Sequence, residues 1–145
     1  MGELKSLAKC KPSEFCSQTI RIAESYEAWI KATDIATIRK RLPVLKKLTP
    51  EMTEEERTKT FTENQRLARE QVLKNTMDIV RQALGEHPKE TIELLALSCF
   101  VEPEDADNHT MDEYLGCVVE MLKNQAVIDF FTLLLSLAQN NTLQV

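Results

Sequence analysis

Between residues 124 and 139 the chain reads NQAVIDFFTLLLSLAQ, and the polar positions Gln125, Asp129, Thr132, Ser136 and Asn140 fall three or four residues apart. That spacing predicts a helix with one thin polar stripe on an otherwise apolar cylinder. A surface helix of a small monomer is not built this way. Either this is the central helix of the fold, or part of it is covered by another molecule. Burying its apolar side chains would contribute on the order of 15 to 25 kcal/mol before entropy. The net stability of a whole domain is only roughly 5 to 15 kcal/mol, so the helix cannot stand wholly exposed. The expectation is partial burial against residues 92–101 and 115–122. The remaining face, with Val127, Phe130, Phe131, Leu134 and Leu135 as candidate partner-binding residues, is left for a neighbouring subunit or a client.

The rest of the chain reads as further helices. Ser13 is placed to cap a helix running to about residue 32, with Phe15, Ile22, Tyr26, Trp29 and Ile30 on its apolar face. A second helix is predicted from Thr33 or Asp34, keeping Ile35, Ile38, Leu42, Leu45 and Leu48 on one side, with a kink or split at Pro43. Residues 53–66, TEEERTKTFTENQR, hold one large apolar side chain, Phe61, and form either an exposed helical start or a flexible linker. The capping-box spacing of Thr53 and Glu56 favours a helix that continues through Leu67, Val72, Ile79, Val80 and Leu84 to a stop at Gly85. Such a helix, about 30 residues long with a polar first half, would project from a compact core. Pro88 begins a helix that is apolar on nearly every side over 92–101. An acidic loop follows, then a helix capped by Thr110 and Glu113. Asn124 is placed to cap the last helix, and residues 140–145 read as a frayed tail.

These elements predict an all-α fold, a single helical domain of about five to six helices with one long, partly projecting helix. Three glycines, five prolines and the lack of any sustained alternating pattern agree with that. A chain of 145 residues is one domain of ordinary size. Its composition is not uniform. Residues 1–48 carry ten Lys or Arg against five acids, a net of about +5, whereas residues 49–145 carry eight against eighteen, about −10. The sequence therefore divides into basic N-terminal helices (1–48), a polar segment (49–66) and an acidic helical core (67–145). The acidic body argues against nucleic-acid binding. Arg39, Lys40, Arg41, Lys46 and Lys47 form a basic patch, a solvated helix face or else a face for an acidic partner or the acidic half of another subunit. Arg39, Arg41 and Lys46 are its candidate binding residues.

Little of this points to chemistry. The four cysteines, at positions 10, 16, 99 and 117, contain no C-x-x-C pair and read as reduced thiols, mostly buried. Neither His87 nor His109 stands four residues from a second histidine or a cysteine. The loop with Asp105, Asp107 and His109 lacks the Gly and Glu of a calcium loop, because Thr110 and Gly116 occupy those positions. There is no phosphate-cradling glycine loop, nucleophile elbow or base-stacking pattern. No cofactor or metal is expected, nor an enzyme. The apolar run of the last helix is roughly 21 to 24 Å long, too short for a bilayer core, and Asp129 lies in its middle. The first ten residues lack the apolar core of a signal peptide. Gly2 with Ser6 meets the loose acylation pattern only formally. The expectation is a cytoplasmic helical interaction protein.

Two blocks carry a resemblance, LKSLAKCKPSEFCSQTIRIAESYEAWIKATDIATIRKRLP and TIELLALSCFVEPEDADNHTMDEYLGCVVEMLKNQAVIDFFTLLLSLAQ. With their ELLAL and DFF signatures, the chain resembles small prophage-encoded proteins of low-GC Gram-positive bacteria that belong with the tail assembly chaperones of long-tailed phages. The resemblance covers most of the chain outside residues 49–66. It implies a mostly helical protein that works in the cytoplasm of the bacterial host. Such a protein binds the tape measure protein, keeps it soluble, and helps recruit tail tube subunits around it. A tape measure exposes long apolar helical stripes before the tube encloses it, so its chaperone needs an apolar face. Self-association, in rings or spirals, is part of that expectation. The alternative is a non-enzymatic structural adaptor or regulatory protein that forms a defined dimer and binds through the face from Arg39 to Lys47.

Overall fold

In a computed structural model describing residues 4–143, with side chains over 4–137, the protein is all-α, and no strand occurs among the described residues. The helices are α1 (Pro12–Thr33), α2 (Ile35–Arg39), α3 (Glu54–Val80), α4 (Pro88–Ser98), α5 (Met111–Lys123) and α6 (Gln125–Leu143). A π-helical turn, Arg81–Glu86, continues α3, and a 3-10 helix, Pro103–Asn108, takes up most of the acidic loop. Contacts divide the chain into two compact units, Met1–Ala28 with Lys89–Val145, and Trp29–Pro88. The composition boundaries at 48 and 66 both fall inside the second unit.

The first unit has a small apolar core. Ala96, Cys99, Val101, Ala106, Tyr114 and Cys117 are buried together, with Leu4, Leu95 and Val118 packed against them. Tyr114 brings a hydroxyl into this core, and it donates to the carbonyl of Ala106 at 2.7 Å, which removes the penalty of burying it. Gln18 of α1 donates to the carbonyl of Leu97 at 2.6 Å, giving this acceptor at the C-terminus of α4 a side-chain donor besides the backbone amide of Phe100. That terminus is closed without glycine. Phe100 has φ 61°, and the amides of Val101 and Phe100 return to the carbonyls of Ala96 and Leu97 at 2.9 and 3.3 Å, a Schellman closure built on an aromatic residue. The apolar run therefore leaves the helix after Ser98, short of Val101.

Helix starts follow the local chemistry. The Thr110 side chain accepts from the amide of Glu113, and the Glu113 carboxylate reaches back to the Thr110 amide, the reciprocal box expected for α5. Asn124 accepts from the amide of Val127 at 3.1 Å and so caps α6. Thr53 caps α3 through the amide of Glu56, and the polar segment is helical from Glu54 onward. Two expected ends are corrected. Ser13 lies inside α1, which begins at Pro12; the first turn is closed by the Glu14 carboxylate, which accepts from the Lys11 amide at 3.1 Å. The last helix does not fray at residue 140 but continues to Leu143, and residues 144 and 145 lie outside the described residues.

The larger correction concerns the second predicted helix. It stops at Arg39, and residues 41–49 are not helical. Pro43 has no amide to give a helix, and it disfavours helical geometry in Leu42 before it. What replaces the helix is an arm held along α3 by two asparagines. Asn75, buried, donates to the carbonyl of Arg41 at 3.1 Å, and the Asn64 amide pairs with both the N–H (2.8 Å) and the carbonyl (3.0 Å) of Lys46. The lengths match. Eleven helical residues rise about 16 Å, and five extended residues span about 16 Å, so the arm runs antiparallel to α3 in extended form. Asn64 and Asn75, three turns apart, lie on one face of the helix.

Candidate functional site

Helix α6 is the most apolar stretch of the chain, and none of its side chains from Gln125 to Leu137 is buried. Its inner side is half-covered. Val127, Ile128 and Phe131 are partly shielded, and Phe131 and Phe130 meet Phe15 of α1 with ring centroids 6.1 and 5.8 Å apart. This aromatic trio, together with contacts to α5, is what seats α6 in the first unit. Its outer side is open. Leu133, Leu134 and Leu137 lie there, 45% to 56% exposed, with Phe130 at its edge. Along the first part of the polar stripe, Gln125 donates to Asp129 at 2.7 Å and the Thr132 hydroxyl to the carbonyl of Ile128. Of the expected binding residues, Leu134 is on the open side, Phe130 is divided between that side and its packing on Phe15, and Val127 and Phe131 are on the seated side; Leu135, four residues after Phe131, lies in line with the seated side but beyond the contact, and is exposed. Leu133 and Leu137 share the open side and escaped the sequence reading, although their spacing from Phe130 places them beside it.

Arg39, Arg41 and Lys46 are exposed, as expected of a solvated basic patch, but they belong to the second unit and do not share a helix face. Arg39 ends α2, whereas Arg41 and Lys46 sit on the arm. Arg41 is engaged by Asp78 of α3 at 3.2 Å. Its charge therefore helps hold the arm down rather than project from it. Lys46 is fixed through its backbone, and its side chain shares a shallow surface hollow with Lys59, Thr60 and Glu63.

Titratable groups elsewhere have structural roles. Glu102 is paired through both oxygens with Arg21 at 2.9 and 2.7 Å, which holds its carboxyl below the usual range. Glu113 is likewise lowered, chiefly by its hydrogen bond with His109 Nδ1 at 2.8 Å. A cavity of about 150 Å³ opens beside His109, Asp107 and Tyr114. Burial pushes the thiols of Cys99 and Cys117 upward, as befits packed side chains rather than nucleophiles. No cluster of three or more metal-ligating side chains occurs among the described residues, and among them no helix is long and apolar enough to cross a membrane. The chain matches no known protein-family model, no curated protein and no solved structure.

Proposed function

We propose that this protein is a non-enzymatic assembly chaperone of the phage-tail kind, holding an apolar helical stretch of the tape measure protein on the open side of α6. The observation that supports this reading is the exposure of Leu133, Leu134 and Leu137, with Phe130 at their edge, on a single helix whose inner side is already seated against Phe15 and α5. Contiguous apolar surface of this kind marks an interaction site. A half-seated helix suits a chaperone, because it offers an amphipathic client a groove edge without enclosing it. Recruitment of tail tube subunits and self-association of the chain belong to the same proposal, as does the bacterial cytoplasm as the place where it acts. The rival adaptor reading, through Arg39, Arg41 and Lys46, is disfavoured because Arg41 already has its carboxylate.

The test is co-expression with an apolar helical segment of a tape measure protein, comparing the parent chain with Leu134→Asp combined with Leu137→Asp. Phe130 is left in place because it packs on Phe15. The parent is expected to keep the client in the soluble fraction, and the double variant, with unchanged helical content, to lose it. A folded double variant that keeps the client soluble as well as the parent contradicts the proposal.

A further inference from the structure

The second unit carries its own unpartnered row. Leu73, Met77, Val80 and Leu84, on α3 and the π turn that continues it, are between 44% and 63% exposed. Their spacing is four, three, four, which is the a/d rhythm of a coiled-coil seam. The opposite side of the same helix is the covered one. Asn75 and Ala83 are buried there, and Gln71, Asp78, Ile79 and Gln82 are half-buried. The row therefore lies on the side of the helix opposite Asn75, the residue that holds the arm.

The rim of this row has a sign. In seam notation Lys74 and Arg81 follow Leu73 and Val80 at e positions, and Arg69 sits on the other edge at g. The nearby acids are already neutralised: Glu70 is paired with Arg66, and Asp78 with Arg41 and Arg81. No ion pair engages Arg69 or Lys74 among the described residues. The rim is thus locally cationic on a chain of net charge −5. A second copy docking by the same row in antiparallel fashion would set e against e and g against g, bringing Lys74 and Arg69 to edges of their own sign, with Arg81 already shared with Asp78, and like-charge repulsion disfavours this.

We propose that this row is a docking seam for a helix of another protein with a 3.5-residue apolar repeat and acidic edges. The seam covers three turns, about 16 Å, enough for roughly two heptads and a reversible contact. Specificity comes from the rim. Leucines fill the spaces between Leu73, Met77, Val80 and Leu84, and glutamates on the edges meet Arg69 and Lys74. The seam belongs to the second unit, whereas α6 belongs to the first.

The test uses two synthetic peptides of about three heptads with leucine at a and d, one with glutamate and one with lysine at e and g. Binding to the full chain is followed by fluorescence anisotropy. The glutamate peptide is expected to bind at least about tenfold more tightly than the lysine peptide, despite the chain's negative net charge, and to weaken with salt. Leu73→Ser with Met77→Ser is expected to reduce binding by about tenfold or more. Arg69→Glu with Lys74→Glu, both at exposed positions, is expected to shift the preference to the lysine peptide. That shift decides the matter even if the serine variant loses helicity. Equal binding of the two peptides, or an unchanged preference after the charge reversal, overturns the proposal. So does sedimentation showing that the parent self-associates through this row and the serine variant does not, since the occupant is then a second copy.

Discussion

Helices α5 and α6 are neighbours in sequence and in the same compact unit, yet they use their apolar residues in opposite ways. α5 contains a glycine and several charged residues, and still it buries Tyr114 and Cys117 in the core. α6 is the more apolar of the two, and from Gln125 to Leu137 it buries nothing fully. The difference lies in what faces each helix. α5 has α4 and the acidic 3-10 helix to close over one stripe, while α6 has the edge of α5 and one phenylalanine of α1. Apolar content makes a helix able to be buried; it does not supply a partner.

Identical chemistry on the two kinds of surface sharpens this contrast. Leu97→Ala, at a residue only 4% exposed, is expected to cost about 2 to 5 kcal/mol, read from urea unfolding. The next effect belongs to the second unit. Asn75→Ala removes the donor from the carbonyl of Arg41 and is expected to cost about 1 to 3 kcal/mol. Faster amide exchange along residues 41–46 would accompany it. An Asn75→Ala protein as stable as the parent would show that the arm is not held this way. Thr110→Ala opens the capping box of α5 and is expected to cost about 1 kcal/mol. Leu133→Ala, on the open side of α6, is expected to change the free chain by less than about 0.5 kcal/mol. A loss comparable to that of Leu97→Ala would mean that α6 is core after all. The smallest effect is electrostatic. Glu102 is held below its ordinary range, so the contribution of its pair with Arg21 is present above the usual carboxylate pKa and lost as pH falls through the lowered value. Arg21→Ala is expected to flatten that part of the acid unfolding profile.

Most of the fold is legible from short-range pattern. Thr110 with Glu113, Asn124, Thr53 and Pro88 announce helix starts within four residues of themselves, and each start lies where its pattern puts it. The misreadings have a common cause. Ile35, Ile38, Leu42 and Leu45 fit a helical repeat, but the arm's geometry is set by Asn64 and Asn75, which lie 18 and 34 residues from the groups they bind. No window along the chain contains both partners. The end of α4 is hidden differently, since its left-handed residue is Phe100, where a sequence reader looks for glycine. On the candidate site, the apolar surplus of α6 is legible from its spacing alone, and Leu134 is on its open side. Which side stays open depends on Phe15, more than 100 residues away, and Leu133 and Leu137 could be assigned only once that contact was known.

The central claim is that the open side of α6 is reserved for a partner and not used by the chain's own core. Amide hydrogen exchange, followed residue by residue in the free chain and with an apolar helical segment of a tape measure protein added, tests it directly. In the free chain the amides of α6 are expected to exchange faster than those of α5, and the segment is expected to slow α6 while leaving α5 nearly unchanged. If α6 is already as protected as α5, and the added segment changes neither, the claim is wrong.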